Sequence, residues 1–255
     1  MAGVSQNFVY SGTNTVADAS IQRLIHRDQV SKTSLQFGIT KRWAKTYLDD
    51  VDIEVQRRDV TAAQIGLYHR RYFGKTMLDL TVAHRQGVPW FNAQSDTGSG
   101  SPDSPTTQYH IQTLDLSFNV PFTIGDIPMR YLNHARGQYT RDRLFVSDQF
   151  GIGNRYTVRG FDGEQTLLAE RGWYIRNEIG IPVFKSRHEV YAGVDYGEVS
   201  GPSAELLPGR GLAGSVIGMR GSFSRWLAGL SYDVFSGWPL YKPDRLYTAV
   251  PATGF

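Results

Sequence analysis

Hydrophobic and polar residues alternate with a period of two along most of this chain, and helical spacing is rare. Leu35, Phe37 and Ile39 oppose Ser34, Gln36, Gly38 and Thr40, and Leu78, Leu80 and Val82 oppose Asp79, Thr81 and Arg85. The cleanest run sets Leu114, Leu116, Phe118 and Val120 against Thr113, Asp115, Ser117 and Asn119. Further along, Trp173, Ile175, Ile179 and Ile181 oppose Tyr174, Arg176 and Glu178, and Val190, Ala192, Val194 and Tyr196 oppose Tyr191, Gly193, Asp195 and Gly197. Ala228, Leu230, Tyr232 and Val234 then oppose Gly229, Ser231 and Asp233. Weaker segments lie at 19–26, 63–73, 129–139 and 212–220, which makes about ten strands of membrane-spanning length.

The connections alternate between short and long. Short ones fall at 27–31, 74–75, 123–128, 184–188 and 221–225, and long ones at 41–59, 86–107, 142–171, 198–211 and 236–248. Outer-membrane barrels show this order, with tight periplasmic turns and longer outer loops. Trp43, Tyr72, Phe73, Trp90, Phe91, Phe122, Trp173, Phe184 and Trp226 fall near predicted strand ends, where aromatic belts form; sheet-corner packing is the plainer alternative.

Composition narrows the picture. No run of apolar residues is long enough for a spanning helix, and a mean hydropathy of −0.34 with 20% charged residues suits a barrel whose strands alternate lipid-facing and lumen-facing positions. The excess of 27 basic over 24 acidic residues is too small to call for nucleic acid. Zero cysteines removes disulfides, thiolate metal sites and cysteine nucleophiles together. The opening residues carry neither a basic nor an apolar leader segment, and Phe255 follows closely on a loop, so the expectation is a piece of a longer protein.

The long loop at 142–171 holds the most specific motif, Val158-Arg159-Gly160-Phe161, within NRYTVRGFDGEQTLLAERGWYIRNE. This stretch resembles the signature of the Omp85 superfamily of outer-membrane barrels. Arg155-Tyr156-Thr157, Asp162-Gly163-Glu164 and Ala169-Glu170-Arg171-Gly172 resemble its two-partner secretion branch, the transporters of haemolysin, filamentous haemagglutinin and contact-dependent inhibition type, as do 207–214 and 236–243. The resemblance implies an all-β fold: an antiparallel transmembrane β-barrel of outer-membrane type, of which 1–255 would supply about ten of sixteen strands. POTRA domains, plug helix, first strands and last strand would lie outside it. It further implies a monomeric barrel in the bacterial outer membrane, in contact with lipid, that exports one large partner exoprotein and needs no cofactor. A barrel-assembly insertase shares the motif, and a soluble all-β binding module is an alternative of another class.

In that family the loop folds into the lumen and its arginine pairs with an acidic residue on the inner wall. The matching position is Asp195, which alternation also turns to the polar face; Glu178 is a second partner on that face. Gly160 permits a tight tip and Phe161 can pack on the wall. The plainer reading of Arg159 is a solvated arginine worth about 0 to 1 kcal/mol; the motif's context argues for a lumenal latch, structural and gating in role.

Other candidates carry less. Gly151-Ile-Gly153 lacks the strand, loop and helix of a dinucleotide site. Asp49, Asp50 and Asp52 offer oxygen ligands for a cation, but a loop tip explains them as well. His26, His69, His84, His110, His134 and His188 lack ligand spacing. Asp162 and Glu164 belong to the motif rather than to an acid and base pair. No catalytic residue and no metal site is expected.

Overall fold

A computed structural model describes residues 10–49, 51–96, 104–164, 166–183, 187–223, 230–243 and 252–254. The strands are β1 (Tyr10–Arg27), β2 (Ser31–Leu48), β3 (Val51–Asp52), β4 (Arg58–Phe73), β5 (Thr76–Val88), β6 (His110–Ile124), β7 (Ile127–Tyr139), β8 (Phe150–Ile152), β9 (Leu167–Ala169), β10 (Arg171–Pro182), β11 (His188–Ser200), β12 (Gly211–Ser222), β13 (Ser231–Tyr241) and β14 (Ala252–Gly254). They form a 12-stranded antiparallel sheet in the order β1-β2-β4-β5-β6-β7-β10-β11-β12-β13-β14, with β3 beside β2, and a separate two-stranded hairpin of β8 and β9. Every expected strand segment falls within one of these strands, apart from the start of the 228–234 run: Ala228 and Gly229 lie outside the described residues, and Leu230 precedes β13, which begins at Ser231. The neighbour order follows the chain, as in an up-and-down barrel wall, and among the described residues β1 and β14 end the order without pairing each other.

The tight turns are built from few residues. Phe73 pairs with Thr76 across Gly74, whose φ of 61° is a value that a side chain rarely adopts, and Ile124 pairs with Ile127 across Gly125 at 58°. At the first turn, Asp28 accepts from the Val30 N–H at 2.8 Å and from the Ser31 hydroxyl. Those donors, with His26 beside them, hold its carboxyl well below the usual carboxylate range.

Two expected loops are shorter than the alternation suggests. Strand β2 continues through 41–48, and β13 runs on to Tyr241. The first stretch reads Lys41-Arg-Trp-Ala-Lys-Thr-Tyr-Leu, polar on both faces, yet it keeps its ladder with β1 from Lys41↔Ala17 to Leu48↔Tyr10. At 18 residues, β2 exceeds the roughly 9–11 that cross a bilayer, so its outer half needs no greasy face. Backbone pairing, invisible to hydropathy, sustains it.

Side chains divide by face as the alternation requires. Phe37, Ile65, Val82, Leu114, Trp173, Ile179, Val194 and Ile217 are large, apolar and exposed. They cover one surface of a single sheet rather than meeting a second sheet, which no sandwich core would allow. Trp43, Trp90 and Trp173 lie toward the long-loop end and Tyr72, Phe73 and Phe122 toward the tight turns, consistent with two aromatic belts; Phe184 and Trp226 lie outside the described residues. The opposite face carries Gln36, Asp79, Arg85, Glu178, Asp195 and Arg220, and against it packs the loop between β7 and β10.

In the full-length protein, Phe37→Arg should weaken barrel stability in lipid by about 2–4 kcal/mol, and Gln36→Arg, one residue along on the other face, by much less. Urea unfolding in lipid vesicles measures both, and equal losses would contradict the assignment of faces.

Candidate functional site

The β7–β10 loop packs against the polar face of the sheet as a hairpin of its own. Its stem is the antiparallel pair β8 and β9, in register Phe150↔Ala169, Gly151↔Leu168 and Ile152↔Leu167. The stem buries Phe150, Ile152, Leu167 and Ala169 against Tyr174 of β10, Val199 of β11 and Leu212 of β12. Beyond it, Asn154 organises the reversal: its side-chain oxygen accepts from the Tyr156 N–H at 2.9 Å, and its carbonyl accepts from the Thr157 N–H at 3.1 Å. The Thr157 hydroxyl in turn accepts from the Gly153 N–H at 3.1 Å. This knot aims Val158 and Arg159 at the wall, where Val158 and Phe161 join the same apolar cluster.

Arg159 is 1% exposed. Its Nε and Nη2 donate to Asp195 Oδ2 and Oδ1 at 2.7 and 2.8 Å, a two-pronged pairing, and its own backbone N–H donates to Asp195 Oδ2 at 3.0 Å. Its Nη1 donates to Glu178 Oε1. Asp195 is fully buried and Glu178 nearly so, at 7% exposed. The structure therefore brings Arg159 into contact with both carboxylates named from the sequence. Removing one member of such a buried pairing typically costs about 3–5 kcal/mol, because the other charge is left without compensation.

The two carboxylates differ in their remaining support. Glu178 also accepts from Arg220 Nη1 at 2.8 Å and from Arg176 Nη2 at 3.4 Å. Arg220 reaches on to Glu189, with Nη2 at 2.6 Å, and Arg130 pairs with the other oxygen of Glu189 at 2.7 Å. The Arg220 guanidinium lies 4.4 Å from the centre of the Tyr191 ring, whose hydroxyl donates to Asp233 at 2.6 Å. Asp195 receives its bonds from Arg159.

Three wall glycines make the seat. A Cβ on Gly214 would collide with the Arg159 carbonyl oxygen, and one on Gly237 would lie 2.8 Å from the Gly160 nitrogen. A Cβ on Gly197 would press within 2.9 Å of Val158. Gly160 itself has φ of 100° and no room for a side chain beside the Trp238 carbonyl at 2.5 Å. These strands are therefore smooth where the tip lies. Sequence reading missed this seat, along with Arg220, Glu189 and Tyr191. Glycines on the lumenal register of β11, β12 and β13 were the available signal, but register between strands is not written in one sequence.

The other candidates resolve differently. Asp52 is engaged by Arg57 at 2.7 Å, and Asp50 lies outside the described residues. Asp162 accepts from the Glu164 N–H at 3.0 Å, and Gly151 belongs to β8. His84 and His110 meet across β5 and β6 with ring centres 6.0 Å apart, a pairing their sequence spacing hides. Among the described residues no three metal-ligating side chains converge.

Substituting Gly214→Ala should unseat the tip while leaving the wall intact. Limited trypsin digestion checks this: cleavage after Arg159, protected in the native protein, is expected to appear in the variant, and continued protection would refute the tight seat.

Comparison with known proteins places this arrangement. A family model described as haemolysin secretion/activation protein ShlB/FhaC/HecB matches residues 1–221. Outer membrane transporter CdiB-2 of Burkholderia pseudomallei (strain 1026b) is 38% identical over 255 residues, covering 100% of this chain and 44% of that protein. Outer membrane transporter CdiB of Escherichia coli is 29% identical over 230 residues, or 89% of this chain and 38% of the relative. Among solved structures, CdiB from Acinetobacter baumannii superimposes with a TM-score of 0.81 at 30% identity, over 95% of this chain and 41% of that one. CdiB from Escherichia coli gives 0.85 at 27% identity, over 98% and 46%. The chain thus spans less than half the length of the proteins it matches.

Proposed function

The chain belongs to the haemolysin secretion/activation protein family of outer-membrane β-barrels, and from that membership we propose that it is the loop-bearing part of a transporter exporting a large partner exoprotein by two-partner secretion. The partner would be an adhesin, a haemolysin or a contact-dependent inhibition toxin, carried across the bacterial outer membrane. The observation that supports this best is the hairpin lying on the lumenal face, pinned through Arg159 to Asp195 and Glu178. A barrel whose bore is occupied by a segment held at a few defined points is closed at rest, and freeing those points opens it.

The division of labour is physical rather than catalytic. The site presents cations paired with carboxylates and an apolar stem, and the chemistry of holding and releasing a loop needs nothing more. In this reading lipid surrounds the apolar outer rows, the full-length barrel works as a monomer, and the protein is no enzyme. An assembly insertase could share the motif, but the relatives that match across this chain are named as transporters.

In the full-length protein, Arg159→Ala should lower release of the partner exoprotein several-fold while barrel insertion, read by heat-modifiable gel migration, stays near normal. Asp195→Asn should impair release more than Glu178→Gln, since Arg159 places three donors on Asp195 and one on Glu178. Secretion at the unmodified level by the Arg159 variant would eliminate the latch. Restoration by the charge swap Arg159→Asp with Asp195→Arg would support direct pairing, within the limits of its altered geometry.

A further inference from the structure

The loop is held at a second place by charges of opposite sign. Asp148, in a one-turn 3-10 segment at Val146–Asp148 near the start of the loop, is buried, with its side chain 4% exposed. Its Oδ1 accepts from Arg85 Nη2 of β5 at 3.0 Å and from the Tyr109 hydroxyl at 3.3 Å, and lies 3.4 Å from Arg42 Nη1 of β2. Arg85 also donates to the Tyr109 hydroxyl at 2.6 Å. Burial pushes that phenol up to about 12, so it serves as a neutral donor.

Apolar packing reinforces the same place. Leu144, 2% exposed, sits with Val60 and Ala62 of β4 and with Tyr109 and Ile111. Gln138 Nε2 closes the base by donating to the carbonyls of both Asp148 and Glu170, at 3.0 and 3.1 Å. The β2–β6 side of the wall thus offers two arginines to an aspartate of the loop, whereas the β10–β12 side offers two carboxylates to its arginine.

We propose that Asp148, gripped by Arg42 and Arg85, is a positioning residue that anchors the root of the loop independently of the Arg159 latch, so that the tip leaves its seat while the root stays. Two arguments carry this. The two contacts lie on different strands, β2 and β5 against β10 and β11, and share no side chain, which is the arrangement in which substitutions act independently. The root also has an apolar cluster of its own, Leu144 with Val60, Ala62, Tyr109 and Ile111, separate from the cluster that takes Val158 and Phe161 of the tip.

The experiment uses the full-length protein with single-cysteine reporters at Leu144→Cys for the root and Val158→Cys for the tip; this stretch contributes no native cysteine. A membrane-impermeant maleimide reads exposure, and heat-modifiable migration verifies the barrel. Asp148→Asn should raise labelling at the root reporter at least about fivefold with the tip reporter little changed, and Arg159→Ala should do the reverse. The double variant Arg42→Gln/Arg85→Gln, which alters the wall instead of the loop, should reproduce the Asp148→Asn pattern. A root reporter that stays protected in both Asp148→Asn and the double variant, or the two reporters opening together, would overturn the anchor. The inference rests on the transport reading only for its consequence in secretion. Absence of partner release by the unmodified protein would defeat that reading, and the labelling pattern would still decide the anchor.

Discussion

A guanidinium removed from water and set between two carboxylates is the constraint around which this part of the molecule is arranged. Arg159 has 1% of its surface exposed, and a charge so placed is tolerable only where its donors are taken. That requirement fixes the neighbours. Asp195 and Glu178 must stand on the inner face of adjacent strands, which the β10–β11 register achieves by pairing Arg176 with Asp195 and Glu178 with Gly193. The tip backbone must come within van der Waals distance of the wall, which the glycines at 197, 214 and 237 permit. The hairpin stem must arrive with the right orientation, which β8, β9 and the Asn154 turn supply.

The same logic explains why the carboxylates are not equivalent. Glu178 belongs to a chain of charges that continues through Arg220 to Glu189 and Arg130, so that loss of one cation leaves others in place. Asp195 is fully buried and meets Arg159 through three separate donors. Glu178 therefore ties the latch to the wall's own electrostatics, while Asp195 is dedicated to the loop. Glu178 thus has cations besides Arg159 around it, whereas the penalty of separating Arg159 falls mainly on the buried Asp195.

The long strands were legible in the sequence because lipid on one side and a wet bore on the other impose a period of two, and segments such as 111–120 record it without interruption. The signal fails where that asymmetry ends. Residues 41–48 are polar on both faces, so they read as loop although they are strand. The latch residues were legible through the motif and through the polar register of Asp195 and Glu178. The Asp148 anchor was not, because its partners Arg42 and Arg85 lie 106 and 63 residues away in sequence and come to one carboxylate only once β2, β4 and β5 stand side by side. The glycine seat was hidden for a related reason: Gly197, Gly214 and Gly237 become one surface only when three strands are placed side by side.

Release of the tip has to overcome unlike terms. Val158 and Phe161 lie within the apolar cluster on either side of Arg159, so withdrawal exposes both, at about 1.5–3 kcal/mol for each large side chain, in addition to separating the ion pairs. Heat alone would populate such a state rarely. In the transport proposed above, a passing chain would shift the balance only by interacting better with the opened lumen than with the closed one. On that reading the places where it would do so are those the tip vacates: the carboxylate of Asp195, the strip of glycine backbone, and the apolar contacts given up by Val158 and Phe161. An extended polypeptide offers donors, backbone and apolar side chains in that same combination. On the proposed transport reading, the seat that holds the loop is chemically suited to hold a passing chain as well, and opening would be an exchange of one peptide segment for another rather than the creation of an empty pore.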